Sequence, residues 1–244
     1  SIERPLVFGN NDTPGVMLSS AAKEYLKVYG VLVGKKPLIF TNNDSGYETA
    51  IEFKKNGVDP VVLDTRKELK SEIIDEAKKL NIQIKFSYVV VAAKGYKKVK
   101  SAEVAKISDD KKKLGALENI NCDCICVSGF WTPTIHLASQ SGNKTTFNKE
   151  IDAFVPGLSK QNETTLGAAN GTFTLEETLK KSFESGYELS KKITKNENKT
   201  STPTVMEKKS TTHDKFWCVP LPKDKTYKRF LDFQNDVAVS DVEI

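Results

Sequence analysis

The amino-acid sequence predicts an α/β protein organised around a βαβ unit, and three neighbouring segments lead to this fold class. Residues 37–40 (PLIF) have the composition of a short buried strand, and residues 47–56 that of a helix. Residues 58–63 are a second apolar strand, which Asp64 ends. Strand, helix and parallel strand in this order build nucleotide-type domains, in which an acid about 20 residues after the first turn holds a ribose.

The turn between the first strand and the helix lacks the residues that hold a dinucleotide. A phosphate-binding turn needs glycine at its first, third and sixth positions, so that the backbone can approach the pyrophosphate. Those positions are Thr41, Asn43 and Gly46, and Asp44 adds a negative charge where a phosphate would lie. We therefore expect the shape of a nucleotide domain without a nucleotide at this turn. For Asp64, an exposed strand-end acid or a helix cap is favoured over a ribose ligand.

The elements on either side extend this unit. Residues 16–29 have apolar side chains at the spacing of an amphipathic helix, which Gly30 is expected to end. Residues 68–80 show the same spacing. Three strands are predicted next, over residues 82–91, 99–107 and 120–127. The first two are expected to lie across the edge of the parallel sheet.

The last part of the chain alternates short turns with one long helix. A glycine-containing turn, a short helix and a strand end are predicted at residues 129–133, 134–139 and 154–158. Residues 175–193 form an amphipathic helix, in which Thr174 is the N-cap and Glu177 completes a capping box. Residues 195–214 are polar and are predicted to be a linker, and residues 215–244 to be the start of a following domain.

Composition excludes two classes of partner. The 244 residues are 38% hydrophobic and 28% charged, which is typical of a globular protein. No apolar run approaches the ~20 residues of a membrane span. The net charge of +5 comes from dispersed lysines rather than from a basic stripe with interleaved aromatic residues. We therefore expect no membrane and no nucleic acid as partner.

The four cysteines indicate packed thiols rather than a metal site. Cys122, Cys124 and Cys126 alternate along an apolar run, so a single strand would present all three on one face. A zinc site needs a second pair of ligands, and the only histidines are His136 and His213. Unpaired thiols fit a reducing cytoplasm, which is the expected location.

Both ends of the sequence suggest a segment of a longer polypeptide. The chain begins at Ser1 with no initiator methionine and no signal segment, and it ends at Ile244 just after an acidic turn. We expect this to be an internal fragment.

Three motifs in order resemble the second half of two-dinucleotide flavoprotein reductases. They are the turn at residues 129–133, the Val-Pro-Gly sequence at residues 155–157 and the small-residue turn at residues 167–171. This resemblance implies an FAD/NAD(P)-binding (Rossmann-like) three-layer fold with an inserted second βαβ nucleotide-type domain. Residues 1–30 and 115–194 would be the second part of the first FAD/NAD(P)-binding domain, and residues 31–114 the inserted Rossmann-like domain.

Five sequence strings in order resemble, more narrowly, the alpha subunits of heterotetrameric sarcosine oxidases. They lie at residues 3–8, 11–17, 40–45, 136–142 and 232–237. The resemblance implies oxidative demethylation of sarcosine to glycine, with hydrogen peroxide and a one-carbon unit captured by tetrahydrofolate. It also implies NAD bound in the alpha subunit without a redox role, FAD in the beta subunit and FMN at the alpha–beta contact. The beta, gamma and delta subunits would be the partners, and the substrate would be handled by a partner subunit.

The resemblance further implies where a ligand would touch this chain. The phosphate-binding turn for NAD would precede Ser1 and the folate-binding domain would follow Ile244, so the fragment is expected to contain no catalytic residue and neither FAD nor FMN by itself. The expected dinucleotide contacts are Gly167, Ala168, Ala169, Thr172, Phe173 and Thr174. A purely structural helix cap is the alternative for this turn.

Two alternative functions stay open at the level of the sequence. One is a subunit of another FAD/NAD(P)-dependent amine or opine dehydrogenase. The other is a non-catalytic interaction module, which the missing glycines and Asp44 favour for the insert.

Overall fold

The computed structural model describes residues 1–194, 201–205 and 212–242, which form two compact units. The larger one, called here the sheet unit, consists of Glu3–Phe130 with Thr212–Ile244. The smaller one, called the hairpin unit, consists of Ser1–Ile2 with Trp131–Thr211. Within the described residues, no helix is both long enough and apolar enough to span a membrane.

Fourteen strands and five α-helices lie in the described ranges and are numbered in chain order. The strands are β1 Ile2–Glu3, β2 Val16–Leu18, β3 Pro37–Thr41, β4 Val61–Asp64, β5 Gln83–Phe86, β6 Tyr88–Lys94, β7 Ser101–Ile107, β8 Leu114–Asn121, β9 Cys124–Ser128, β10 Trp131–Thr132, β11 Thr145–Asn148, β12 Ala153–Pro156, β13 Phe230–Asp232 and β14 Val237–Ala238. The α-helices are α1 Ser19–Tyr29, α2 Ser45–Lys55, α3 Glu72–Lys79, α4 His136–Gln140 and α5 Leu175–Thr194. The 3₁₀-helices are Gly167–Asn170 and Val239–Asp241.

The sheet unit is built in three layers around a five-stranded parallel sheet of order β2-β9-β3-β4-β5. β3 and β9 are buried along their whole length, as expected of parallel strands that are covered on both faces. Ile39 and Val62 pack against α1, α2 and α3 on one face. Leu38 and Phe40 share a second core with the antiparallel sheet of β6, β7 and β8 on the other.

Sheet pairing decided three boundaries that side-chain periodicity missed. The predicted helix 16–29 begins only at Ser19, because Val16–Leu18 pair with residues 125–127 as strand β2. The predicted strand 82–91 is two strands, β5 and β6, separated at Ser87 by a positive φ of 55°. The predicted strand 120–127 is likewise divided between β8 and β9.

The expected position of the antiparallel strands was wrong. β6 and β7 do not extend the edge of the parallel sheet but form a separate sheet with β8. Val89 and Val104 pack in the same core as Leu38, so this sheet covers a face of the parallel sheet. Burial of two apolar faces against each other is the physical reason.

The compact units differ from the expected domain division. The expected boundaries after residues 30 and 114 both fall within the sheet unit, in which β2 and β9 belong to the same sheet as β3. Of the expected linker 195–214, residues 195–200 and 206–211 lie outside the described residues. Residues 212–242 belong to the same compact unit as Glu3–Phe130. The reason is burial, since Phe216 and Val219 pack in the sheet unit's core.

The expected arrangement of the cysteines was partly wrong. Cys124 and Cys126 lie on strand β9 and face the helices. Cys122 packs in the other core, because the chain bends between β8 and β9 and resets the alternation of side chains. Burial raises the pKa of the Cys122 thiol to about 12.

The hairpin unit contains the antiparallel pair β11–β12 and the long helix α5. Phe147 and Phe154 contact each other edge to face across the hairpin, with ring centroids 5.3 Å apart. The Glu177 N–H donates to the Thr174 hydroxyl at 3.3 Å, so Thr174 caps α5 as the sequence predicts.

Candidate functional site

The turn after β3 is closed by its own side chains. The Thr41 hydroxyl donates to the Asn43 carbonyl at 2.9 Å and accepts from the Asn43 N–H at 3.1 Å. The Asn43 side-chain amide donates to the Ser128 carbonyl at 3.0 Å. A Cβ on Gly46 would lie 2.6 Å from the Thr41 Cβ, so this glycine serves the close packing of α2 on β3. The turn therefore uses its polar groups internally.

The acid at the end of β4 is buried in an ion pair, so the expectation of an exposed acid or a helix cap was wrong. Asp64 is fully buried. Arg66 donates from Nε to Oδ1 at 3.0 Å and from Nη2 to Oδ2 at 2.8 Å. The Tyr47 hydroxyl donates to Asp64 Oδ2 at 2.7 Å. Arg66 and Tyr47 therefore donate to the Asp64 carboxylate, which in a nucleotide-binding domain would accept hydrogen bonds from a ribose.

Arg66 also neutralises the acid of the turn. Its Nη1 donates to Asp44 Oδ1 at 2.8 Å, and both side chains are largely buried. Burial by itself lowers the pKa of Arg66, but hydrogen bonding and charge attraction from Asp64 and Asp44 outweigh it and raise the pKa. Burial, followed by the charge of Asp64, raises the pKa of Tyr47, so the phenol stays protonated. One guanidinium and two carboxylates leave this edge with excess negative charge, which does not suit a phosphate.

The second candidate site is the turn at residues 167–174 in the hairpin unit, where the sequence predicts dinucleotide contacts. Gly167 and Gly171 have left-handed φ angles of 67° and 75°. A Cβ on Gly171 would lie 2.7 Å from Ile151 Cδ1, and its left-handed φ favours glycine at this position. Ala168 and Ala169 lie between them in the 3₁₀-helix Gly167–Asn170.

Thr172 connects this turn to helix α5. Its N–H donates to the Gly167 carbonyl at 3.1 Å, and its own carbonyl accepts from the Thr178 hydroxyl at 3.3 Å. The buried Thr172 hydroxyl accepts from the Lys181 ammonium at 3.1 Å. Phe173 follows and is half-buried.

The chemistry of the turn is compatible with an anionic ligand. The first N–H groups of a helix have no partner within the helix and carry a partial positive charge. The ammonium of Lys181 lies at the same end of α5, next to Thr172. Glu176 and Glu177 in the first turn oppose this field. Because the Thr174 hydroxyl already caps α5, the remaining donors are backbone groups and Lys181.

The remaining candidates do not assemble into a catalytic or metal site. His136 is exposed at the start of α4. Trp217 lies under the Arg4 guanidinium at 3.8 Å within the sheet unit. Across the described ranges, no three His, Cys, Asp or Glu side chains come together to hold a metal.

Sequence reasoning missed Arg66, although a signal for it exists. A basic residue stands two positions after the strand-end acid, in the string Asp-Thr-Arg at residues 64–66. A short turn at that position returns the guanidinium to the acid, which the side-chain pattern alone does not reveal.

Curated relatives share sequence with most of this chain. No family model matches it. It is 34% identical to the sarcosine oxidase subunit alpha of Rhizobium meliloti (strain 1021) over an alignment of 253 residues, which covers 98% of this chain and 23% of that protein. It is also 34% identical over 173 residues to the sarcosine oxidase subunit alpha of Corynebacterium sp. (strain P-1), covering 70% and 18%. The chain thus spans less than a quarter of the length of these curated relatives.

Two solved structures share the fold. The L-proline dehydrogenase from P. horikoshii superposes with a TM-score of 0.50 at 19% identity, covering 79% of this chain and 33% of that one. The Cu(II) complex of a flavoprotein disulfide reductase from Escherichia coli gives a TM-score of 0.52 at 15% identity, covering 78% and 41%. The predicted Rossmann-like α/β fold class is confirmed.

Proposed function

We propose a function for this chain, which belongs to the family of sarcosine oxidase alpha subunits and corresponds to a segment of them. The observation that carries the proposal is 34% identity over 98% of the chain. The polypeptide that contains it is then an oxidoreductase subunit. Its reaction is the oxidative demethylation of sarcosine to glycine, with hydrogen peroxide and a one-carbon unit passed to tetrahydrofolate.

The part of this segment in that enzyme is a scaffold for NAD. Gly167, Ala168 and Ala169 form a tight turn of small residues, which leaves little side-chain bulk between the backbone and an approaching pyrophosphate. Phe173 and Thr174 lead into α5, whose N-terminus favours negative charge. Lys181 holds Thr172 and adds a positive charge beside the same turn. NAD in this role is a bound ligand and supplies no redox step.

The reacting centre lies on other parts of the assembly. FAD and FMN belong to the full complex, and the beta, gamma and delta subunits are the partners, one of which handles the substrate. The complex works in the cytoplasm. The described residues contribute no catalytic group in this proposal.

The test uses the full alpha subunit produced together with its three partner subunits. Sarcosine-dependent hydrogen peroxide and the NAD released on denaturation are measured on the same preparation. We expect turnover of sarcosine and about one NAD per alpha subunit. Absence of sarcosine turnover in a complex that holds NAD and flavin overturns the assigned reaction. A flavin that copurifies with the alpha subunit alone favours the amine or opine dehydrogenase alternative.

Two variants address the turn. Ala169→Glu places a carboxylate beside the expected pyrophosphate, and Thr172→Val removes the partner of Lys181. Each is expected to weaken NAD retention about tenfold or more, since a lost charge-assisted contact is worth roughly 1.5–3 kcal/mol. Thr145→Val, at an exposed position of β11, is the matched control. Full NAD content in both variants would assign the turn a structural role.

A further inference from the structure

Residues 212–216 cross the turn of the βαβ unit and bond to it through the backbone. The Asp214 N–H donates to the Asn42 carbonyl at 2.8 Å. The Asn42 side-chain amide donates to the carbonyls of Asp214 at 2.9 Å and Phe216 at 3.1 Å. His213 forms an antiparallel bridge with Asn43. The segment is therefore joined to the turn at several consecutive positions.

The same segment also reaches the end of strand β4. Arg66 Nη1 donates to the carbonyl oxygen of Thr212 at 3.0 Å and to its hydroxyl at 2.9 Å. The Thr65 hydroxyl donates to Asp214 Oδ2 at 3.3 Å, and the Lys111 ammonium lies 3.0 Å from that oxygen. Thr212 and Asp214 thus satisfy cationic groups at this edge.

Aromatic and apolar contacts fix the segment on both sides of these hydrogen bonds. The His213 ring stacks on Phe130 with centroids 3.9 Å apart and an interplanar angle of 6°. Phe216 and Val219 are buried in the core that also contains Leu38 and Phe40. Burial of this apolar surface opposes release of the segment.

The position of the segment is the crevice in which this type of sheet binds nucleotides. From β3 the chain continues to β4 and β5 on one side, whereas β9 and β2 lie on the other, so the order reverses at β3. Ligands of open α/β sheets bind outside the carboxyl ends of the strands at such a switch point. A dinucleotide there would contact the turn through its pyrophosphate and the end of β4 through its ribose. Residues 212–216 contact both places.

We propose that residues 212–216 are an intrachain plug that occupies the nucleotide crevice of the sheet unit in place of a dinucleotide. A dinucleotide that entered would have to replace the bonds to Asn42, Arg66 and Lys111, and would face the carboxylates of Asp44 and Asp64. Because the plug belongs to the same chain, its binding is intramolecular and has no dilution penalty. The sheet unit therefore binds no dinucleotide and instead anchors the chain that arrives at residue 212.

The test measures hydrogen exchange in the full complex, with and without added NAD. In the wild type, the Asp214 and Val219 amides should exchange slowly, because they donate to the Asn42 and Val7 carbonyls at 2.8 Å each. Asn42→Ala removes the two bonds to the segment and should speed exchange at Asp214 about tenfold or more. Asn56→Ala is the matched control, since the exposed Asn56 amide bonds only to Glu52 of its own helix among its described partners. It should leave residues 212–216 unchanged.

Two results would overturn the plug. One is fast exchange at Asp214 in the wild type that Asn42→Ala does not alter. The other is faster exchange at residues 212–216 together with protection of residues 41–46 when NAD is added, which means that the nucleotide displaces the segment. If the Asn42→Ala complex does not assemble, Asp214→Asn replaces it, because this variant weakens the half-buried ion pair with Lys111. Faster exchange at residues 212–216 is again the expected result. The same experiment tests the nucleotide site proposed at residues 167–174 separately. If NAD does not bind there, adding NAD leaves the hydrogen exchange of residues 167–174 unchanged, whatever the result at residues 212–216.

Discussion

Arg66 and Asp64 form a two-pronged buried ion pair at the end of β4, with Nε–Oδ1 and Nη2–Oδ2 distances of 3.0 and 2.8 Å. The third nitrogen of the same guanidinium bonds to Asp44 and Thr212. A residue position that binds ribose in related sheets here holds together two loops of the protein itself. Arg66 is thus the central residue of this edge.

Replacement of Arg66 by leucine should strongly destabilise the sheet unit. Arg66→Leu leaves Asp64 buried without its countercharge, and breaking a buried pair in this way costs about 3–5 kcal/mol. Urea unfolding of the full polypeptide, followed by hydrogen exchange in peptides from β3 and α2, measures the loss.

Lys67→Leu is the matched control for Arg66→Leu. Lys67 pairs with Asp109, and both side chains are at least 69% exposed. Exposed pairs contribute little, so no measurable change is expected. Equal effects of the two variants would contradict the importance of burial at Arg66.

The buried carboxyl of Glu3 should make stability depend on pH. Burial raises its pKa and outweighs the hydrogen bonds from Ser128 and Ser20. The folded state then keeps the proton at a pH where the unfolded state has lost it. The contribution of Glu3 is therefore present in full below the unfolded pKa of 4.5 and is lost as the pH rises through the folded pKa.

Glu3→Gln should consequently be more stable than the wild type at about pH 7, with an advantage that shrinks toward about pH 4.5. The glutamine carbonyl can still accept the Ser20 N–H bond, which is 2.8 Å long in the wild type. Urea midpoints at several pH values measure the effect. Glu24→Gln, at an exposed position of α1, controls for removal of a charge. A constant difference at all pH values would contradict the expectation.

Two glycine-to-alanine substitutions should change the stability of the folded protein in opposite directions. Gly46→Ala places a Cβ 2.6 Å from Thr41 Cβ, so overpacking between β3 and α2 should destabilise by about 1–3 kcal/mol. Gly186→Ala lies within α5 with nothing inside 4 Å, so the higher helix propensity of alanine should stabilise by up to about 1 kcal/mol. Thermal midpoints of the two variants give the comparison. A stabilising Gly46→Ala would show that α2 does not approach β3 so closely.

Three of the four thiols should be unreactive in the folded protein. Cys122, Cys124 and Cys126 are buried, whereas Cys218 is partly exposed. Burial keeps alkylating reagents away from these thiols, and the raised pKa of Cys122 and Cys126 leaves little thiolate at those two positions. Brief treatment with iodoacetamide and mass-spectrometric mapping should therefore label Cys218 first. Rapid labelling of Cys124 in the native state would show that β9 is accessible.

Local pattern was sufficient to predict the central elements of the fold. The apolar run at residues 37–40, the helix after Gly46 and the following strand all lie within about three residues of their predicted bounds. Such segments are recognisable because burial on both faces requires continuous apolar side chains. The Thr174 cap of α5 was also predictable, since a cap depends only on neighbouring residues.

Elements whose state depends on distant residues were predicted less well. Val16–Leu18 continue the apolar spacing of α1 and become a strand only because β9 lies beside them. Residues 212–219 span the boundary between the predicted linker and the predicted following domain, yet Phe216 and Val219 lie in the core of the sheet unit. No local pattern reports a contact between residues separated by more than 170 positions, such as Asn42 with Asp214 and Phe216.

The amino-acid sequence by itself determined the βαβ core, the loss of the phosphate-binding turn and the similarity to sarcosine oxidase alpha subunits, because each depends on residues near one another or in a fixed order. Only the tertiary structure decided what lies at the damaged turn. There, Arg66 pairs with Asp64 and Asp44, and residues 212–216 cover the edge of the sheet. The physical reason is that a buried charge or carbonyl must find a partner, and folding supplied these partners both from Arg66 nearby and from residues 212–216 later in the chain.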